Sequence, residues 1–169
     1  MELLAPAGSY QALRAAVHSG ADAVYIGGTE FSARRTADNF SPEHMKEWID
    51  YCHLYGVAVH VAANTLIKEK EAAAFLAYVE TLNRMGVDAV IIQDLGMAES
   101  VRQAFPELPL HASTQMTVSS LEGVRYLENM GFTRVVLSRE LSREAVAEIA
   151  ENSHAELEVF VHGALCMCY

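Results

Sequence analysis

Ser19-Gly20-Ala21-Asp22-Ala23-Val24-Tyr25-Ile26-Gly27 decides the fold, because the chain repeats it. Met85-Gly86-Val87-Asp88-Ala89-Val90-Ile91-Ile92-Gln93 is a second copy, and Met130-Gly131-Phe132-Thr133-Arg134-Val135-Val136-Leu137-Ser138 a third. A shorter version runs Tyr55-Gly56-Val57-Ala58-Val59-His60-Val61. In each, a helical stretch stops at Gly and a β-branched run follows. The residue that closes a helix often needs positive φ, which costs Gly least. Each copy therefore reads as the junction between a helix and the next strand.

Working outward, strands are expected near 2–5, 23–27, 57–63, 88–93, 109–113, 134–138 and 156–162. Helices are expected near 9–19, 42–55, 69–85, 95–105, 118–130 and 142–152. Ser41-Pro42, Ser119-Ser120-Leu121-Glu122 and Ser142-Arg143-Glu144 supply caps and first-turn signals. Ala73, Leu76, Val79 and Leu82 recur at helical spacing in the third helix. Strict β–α alternation with short links implies a parallel sheet with right-handed crossovers. Seven strands and six helices fit an α/β fold of the (β/α)8 TIM-like class, as one barrel domain over 1–169 that is incomplete after its seventh strand. The runner-up is an open doubly wound sheet. Ala5-Pro6-Ala7-Gly8-Ser9-Tyr10 is not the G-x-G-x-x-G that a dinucleotide-binding sheet carries after its first strand. An incomplete barrel leaves open strand edges, so further chain or self-association at those edges is expected.

Composition sets limits. With 169 residues, 51% of them apolar, the chain can bury a sizeable core and is not disordered. No apolar run is long enough to span a membrane. Met1-Glu2-Leu3-Leu4-Ala5-Pro6 lacks the basic start of a signal peptide, so a cytoplasmic protein is expected. A net charge of −10 argues against this segment alone gripping nucleic acid through its phosphates. Arg34-Arg35 and Lys68/Lys70 are candidate local patches, read first as solvated surface. Cys52 reads as a small buried residue.

In a barrel the chemistry gathers at the C-terminal strand ends. Those ends offer Asn64, Gln93-Asp94, His111, Ser113, Gln115, Ser138-Arg139-Glu140 and His162. Side-chain alternation puts His60 with Asn64 on one face, and His111 with Ser113. Such a rim of imidazole, carboxylate, amide and guanidinium groups suits a polar or anionic substrate: Asn64, Gln93, His111 and Gln115 are candidate binding residues, and His162, Arg139 and Glu140 candidate catalytic ones. Each has a plainer reading. His60, set between valines, suits an interior histidine, and Ser138-Arg139-Glu140 a loop ion pair. No nucleophile-elbow sequence supports a Ser–His–Asp triad. Cys166 and Cys168 are too close for an ordinary disulfide; thiolates suit zinc or iron–sulfur clusters, but two cannot complete a four-ligand site.

Glu158-x-Phe160-x-x-Gly163-Ala164-Leu165-Cys166 resembles the first half of the signature of peptidase family U32, the collagenase-like peptidases. Glu2-Leu3-Leu4-Ala5-Pro6-Ala7-Gly8, Asp22 to Gly28 and Phe31-Ser32-Ala33-Arg34 also resemble that family, so the likeness covers the whole chain. The resemblance implies a (β/α) barrel. It also implies one of several activities, since some members are described as collagen-degrading proteases. Others hydroxylate bases of transfer or ribosomal RNA with prephenate-linked chemistry, and others support oxygen-independent ubiquinone hydroxylation. The hydroxylating branches carry an iron–sulfur cluster, of the 4Fe-4S kind, held by four cysteines. Cys166 matches the first of these, and Cys168 is extra to the signature. On this resemblance the expected function is iron–sulfur-dependent RNA base hydroxylation. The alternatives are a peptidase and a cluster-carrying partner of another family member. RNA contacts are expected mainly from later domains.

Overall fold

The computed structural model describes residues 1–33, 40 and 42–163. Seven strands alternate with six helices. The strands are β1 (Leu4–Pro6), β2 (Ala23–Gly27), β3 (Ala58–Ala62), β4 (Ala89–Ile92), β5 (Leu110–Ala112), β6 (Arg134–Val136) and β7 (Glu156–Glu158). The helices are α1 (Tyr10–His18), α2 (Pro42–Leu54), α3 (Ala72–Met85), α4 (Leu95–Ala104), α5 (Leu121–Asn129) and α6 (Arg143–Asn152). The sheet order is β1-β2-β3-β4-β5-β6-β7 and every pairing is parallel. Sequential order is barrel topology; a doubly wound sheet would reverse at a switch point.

The expected elements recur with three adjustments. Helix α3 is preceded by a 3-10 turn at Glu69–Glu71, and its buried side chains are Phe75, Tyr78, Val79 and Leu82, whereas Ala73 is exposed. Helix α5 begins at Leu121, because a 3-10 turn at Thr114–Met116 and a bridge from Val118 to Leu137 occupy the preceding residues. Strand β7 stops at Glu158 rather than near 162. Ser120 and Ser142 cap their helices as expected, accepting hydrogen bonds from Gly123 N and Ala145 N.

The repeated motif now has a physical account. Gly20, Gly56, Gly86 and Gly131 take φ of +87°, +72°, +79° and +89°. The Asp of the first two copies reaches back to the preceding strand. Leu3 N donates to Asp22 Oδ2 at 2.8 Å, and Val59 N to Asp88 Oδ2 at 2.7 Å. In the third copy Thr133 takes that place and donates to Leu110 O at 3.2 Å. The motif closes a helix, and in these three copies it also ties the strand it opens to the chain of the preceding one.

Alternation divides the sheet into two faces. Val24, Ile26, Val59, Val61, Val90, Ile92, Leu110, Ala112, Val135 and Leu137 share one parity and join the apolar core with helix residues such as Leu13, Ile49, Val79, Val101, Val124 and Ile149. The other parity carries Tyr25, His60, Ile91, His111, Arg134, Val136, Glu156 and Glu158. Two contacts show that this second face is concave. The His60 and His111 rings meet at 4.6 Å across the intervening strand β4. Arg134, on β6, donates to Glu2, just before β1, at 2.6 and 2.9 Å. The sheet is thus curled around a polar interior, as in an incomplete TIM-like barrel.

Arg134 also donates to Glu156 Oε2 and lies 3.7 Å from Glu158. Its side chain is 10% exposed, against 67% for Glu156. This cluster sits at the N-terminal ends of the strands, where a barrel places stability rather than chemistry. Removing one partner of a buried ion pair leaves the others uncompensated. Arg134→Leu is therefore expected to lower unfolding free energy by about 3–5 kcal/mol. Glu156→Gln, at an exposed partner, is expected to cost less than about 1 kcal/mol. Urea denaturation of both variants checks the contrast.

Candidate functional site at the C-terminal rim

The inner parity continues past the strand ends and delivers the rim. Asn64 lies two residues beyond β3, Gln93 one beyond β4, Ser113 one beyond β5 and Ser138 two beyond β6. Ladder bonds from Ala63 N to Ile91 O and from Ser113 N to Ile92 O extend the register, so Gln93 stands between Asn64 and Ser113. Asn64 Nδ2 donates to Ser113 Oγ at 3.3 Å, and Asn64 Oδ1 accepts from Ala33 N at 3.2 Å. Ser113 Oγ also accepts from Gln115 N at 3.3 Å, capping the 3-10 turn that carries Gln115. Asn64 is therefore a hub that joins β3, β5 and the loop after β2.

Two non-glycine residues on these rim loops, Phe31 and Thr117, have φ of +54°. Such backbone is costly for a residue with a side chain, and gathers where surrounding structure imposes it. Phe31 is held by Thr65, whose N and Oγ1 both donate to Phe31 O. Thr117 closes the turn that carries Gln115.

Below the rim lie His60 and His111, each 4% exposed. Burial pushes the pKa of both imidazoles down, His111 to about 2, with the Arg134 charge acting in the same direction. Both rings are thereby biased toward the neutral form, and neither Nδ1 has a hydrogen-bond partner. Gln115 Oε1 and one oxygen of Glu158 are likewise buried without a partner. Burial lifts Glu158 to about 6, against the opposing pull of Arg134. Four of the five buried side-chain atoms without a partner among the described residues thus belong to inner-face and rim residues, Glu158 Oε2 keeping only its longer 3.7 Å contact with Arg134. The fifth, Tyr78 Oη, lies against Gly28; each calls for a partner.

The other predicted residues are also placed. Ser138 Oγ donates to a Glu140 carboxylate oxygen, which keeps Glu140 below the usual carboxylate range. Arg139 donates to Gly163 O at 2.8 Å and lies 5.3 Å from the centre of the Phe160 ring. Arg139 thereby fastens the segment after β7 to the loop after β6. His162 is exposed on that segment. Asp94 is a cap: its carboxylate accepts from Met97 N and Ile67 N. The structure brings Asn64, Ser113 and Gln115 into one cluster and His60 and His111 into another beneath it. Arg139 and Glu140 belong to a separate corner. Cys166 and Cys168, like Arg34 and Arg35, lie outside the described residues. Among the described residues no group of three or more His, Cys, Asp or Glu side chains could hold a metal ion.

The opening and closing motifs therefore frame a barrel whose rim is built from these strand ends, and a profile of peptidase family U32 matches residues 8–169. The chain belongs to peptidase family U32. It is 38% identical over 168 residues to tRNA hydroxylation protein P1 of Bacillus subtilis, covering 99% of this chain and 40% of that protein. It is 40% identical over 169 residues to a 23S rRNA 5-hydroxycytidine synthase of Escherichia coli, covering 100% of this chain and 25% of the relative. A collagenase of Porphyromonas gingivalis is 32% identical, with 98% and 42% covered. The chain thus spans well under half the length of these U32 relatives. Among solved structures, a U32 peptidase superposes with a TM-score of 0.76 at 16% identity, covering 94% of this chain and 68% of the other. A phosphonopyruvate hydrolase superposes with a TM-score of 0.63 at 12% identity, covering 94% of this chain and 66% of the other, a likeness of fold alone.

Sequence reasoning placed the rim but not its connections. The partner of Asn64 and the contact between the two histidines depend on curvature, which strand periodicity does not encode. The left-handed Phe31 and Thr117 carry no residue-type signal.

The buried histidines make a pH prediction. Their folded pKa lies below the unfolded value of about 6.5, so the unfolded chain binds more protons below that pH. Their contribution is complete above about pH 6.5 and is lost on acidification, by up to about 1.4 kcal/mol per pH unit for each ring. Glu158, raised to about 6, acts with the opposite sign between about 4.3 and that value. Chemical denaturation between pH 7 and 5 is expected to show a shallower loss of stability in His60→Gln/His111→Gln than in the wild type.

Proposed function

We propose that this chain is the barrel of an iron–sulfur-dependent enzyme that hydroxylates a base of transfer or ribosomal RNA. The observation that carries this reading is the end-to-end similarity, at 38 to 40% identity, to proteins named for tRNA hydroxylation and for rRNA 5-hydroxycytidine synthesis. The rim is compatible with it. Its amides, hydroxyls and neutral imidazoles suit a polar, uncharged reacting group. With a net charge of −10 on this chain, the reading looks for the phosphate grip in later domains or in local patches such as Arg34-Arg35 and Lys68/Lys70. The reading places the protein in the cytoplasm with its RNA; among the described residues no helix is long and apolar enough to cross a membrane.

The cluster enters through Cys166. A thiolate is a fitting iron ligand, and Arg139 tethers the chain three residues earlier, at Gly163. When bound, the cluster would supply electron transfer. Of this chain's own residues, His162 and the Arg139–Glu140 corner would act beside it, His162 lying four residues before Cys166 in the sequence.

The collagenase relative favours a second reading, a peptidase. The geometry lends it little: Ser113 Oγ accepts from Asn64 and Gln115, Ser138 Oγ donates to Glu140, and neither hydroxyl is bonded to an imidazole base. A third reading is a cluster-carrying partner of another family member in ubiquinone hydroxylation.

RNA from a strain lacking the gene is expected to lack one hydroxylated pyrimidine by mass spectrometry, restored by the full-length gene. Unchanged RNA would overturn the proposal. Cys166→Ser is expected to lower the iron content of anaerobically purified full-length protein to background. Wild-type iron content in that variant would remove Cys166 from the ligand set.

A further inference from the structure

We infer that the barrel mouth holds a single nucleobase swung out of the RNA, and that Gln93 and Gln115 read its hydrogen-bonding edge. This rests on the RNA reading above and specifies what enters the site. Three carboxamides, Asn64, Gln93 and Gln115, stand at the ends of the consecutive strands β3, β4 and β5. Asn64 is committed at both ends, to Ser113 and to Ala33, and so is a fixed floor. Gln115 is positioned by its backbone bond to Ser113, while its Oε1 is buried and unmatched. His111 Nδ1, below Ser113 on the same strand face, is unmatched too. The site thus offers unmatched acceptors in Gln115 Oε1 and His111 Nδ1, beside the carboxamide of Gln93 at the end of β4.

Charge narrows the occupant. Arg134, the inner-face cation among the described strand residues, is already matched by Glu2 and Glu156. Arg139 is engaged with Gly163 and Phe160. His60 and His111 are biased toward the neutral form by burial. Among the described residues, an anionic group such as a phosphate would find no free counter-charge on this face. A planar, uncharged group rich in donors and acceptors fits, and a carboxamide pairs with a base edge through two hydrogen bonds. Enzymes that act on a base reach it by taking it out of the stack, with recognition through its pairing edge. Gln93 and Gln115 are partly exposed, so a base entering from the rim can meet their accessible amide atoms, and a turn of the Gln115 side chain brings its buried Oε1 to the base edge.

The test uses the full-length protein and two readouts. In the deletion strain, Gln93→Ala/Gln115→Ala is expected to lower the hydroxylated pyrimidine at least about tenfold relative to wild type, the scale of one lost bidentate amide–base pair. Affinity of the purified variant for the same RNA should stay within about twofold, since phosphate contacts dominate it. Gln93→Glu/Gln115→Glu keeps size and acceptors but removes the amide donors, and is expected to fall similarly. Wild-type hydroxylation in the alanine variant, with its melting temperature unchanged, would overturn base reading while leaving RNA hydroxylation intact. If wild type itself restores no modification, the RNA reading fails, and titration with free uridine and cytidine followed by NMR decides the pocket separately. Nucleoside binding lost in the alanine variant would support it; binding absent from wild type, or equal in the variant, would overturn it.

Discussion

The strict alternation of strand side chains is the constraint on which this molecule depends. One parity of every strand must satisfy the helices and is almost wholly aliphatic. The other is released from that duty and can be polar. Because the sheet is curled, those polar groups converge instead of spreading over an open surface. A single-residue slip in any strand would exchange the two sets, placing His60 or Arg134 under a helix and a valine in the interior. The penalty for burying such groups unpaired keeps the register fixed. The polar interior is thus a consequence of how the fold is specified, as well as a site.

The interior is graded along the strands. Its N-terminal end holds charges that neutralise one another around Arg134. The middle holds two imidazoles biased toward the uncharged form by their surroundings. The C-terminal end holds amides and hydroxyls, part committed to one another and part available. Near the mouth, where a substrate would arrive, the formal charges are those of the separate Arg139–Glu140 corner. The mouth is stiffened by Asn64 and by the two left-handed residues, Phe31 and Thr117. A site built on strand ends and braced in this way holds its groups in position before a substrate binds.

Much of this was legible in the sequence, for physical reasons. The helix-closing glycines and the β-branched runs gave the elements, and strict alternation gave a parallel sheet. Barrel rules then placed Asn64, Gln93, Ser113 and Ser138 at one end. What was not legible depended on contacts between residues distant in the chain. Arg134 reads as an ordinary residue of a motif, yet its guanidinium meets Glu2, 132 positions away. The early stop of β7 reflects backbone pairing that periodicity does not show, since Val159 and Val161 are good strand residues. The face of α3 shifted because Phe75 and Tyr78, larger than Ala73, take the buried side. The role of Arg139 in holding Gly163 required the turn geometry after β7.

The aspartates of the repeated motif have an implication for how such a chain can be assembled. Asp22 and Asp88 each bond the backbone of the strand before their own, and Thr133 does so from the opposite polarity. Alternate units, those that deliver β2, β4 and β6, therefore carry a gauge of alignment directed backward along the chain. Such a unit, copied and appended, would bring with it the means of setting its position against its neighbour, and the units already in place would need no alteration. Growth by duplication requires local instructions of this kind, and here they amount to one side chain in each of these units.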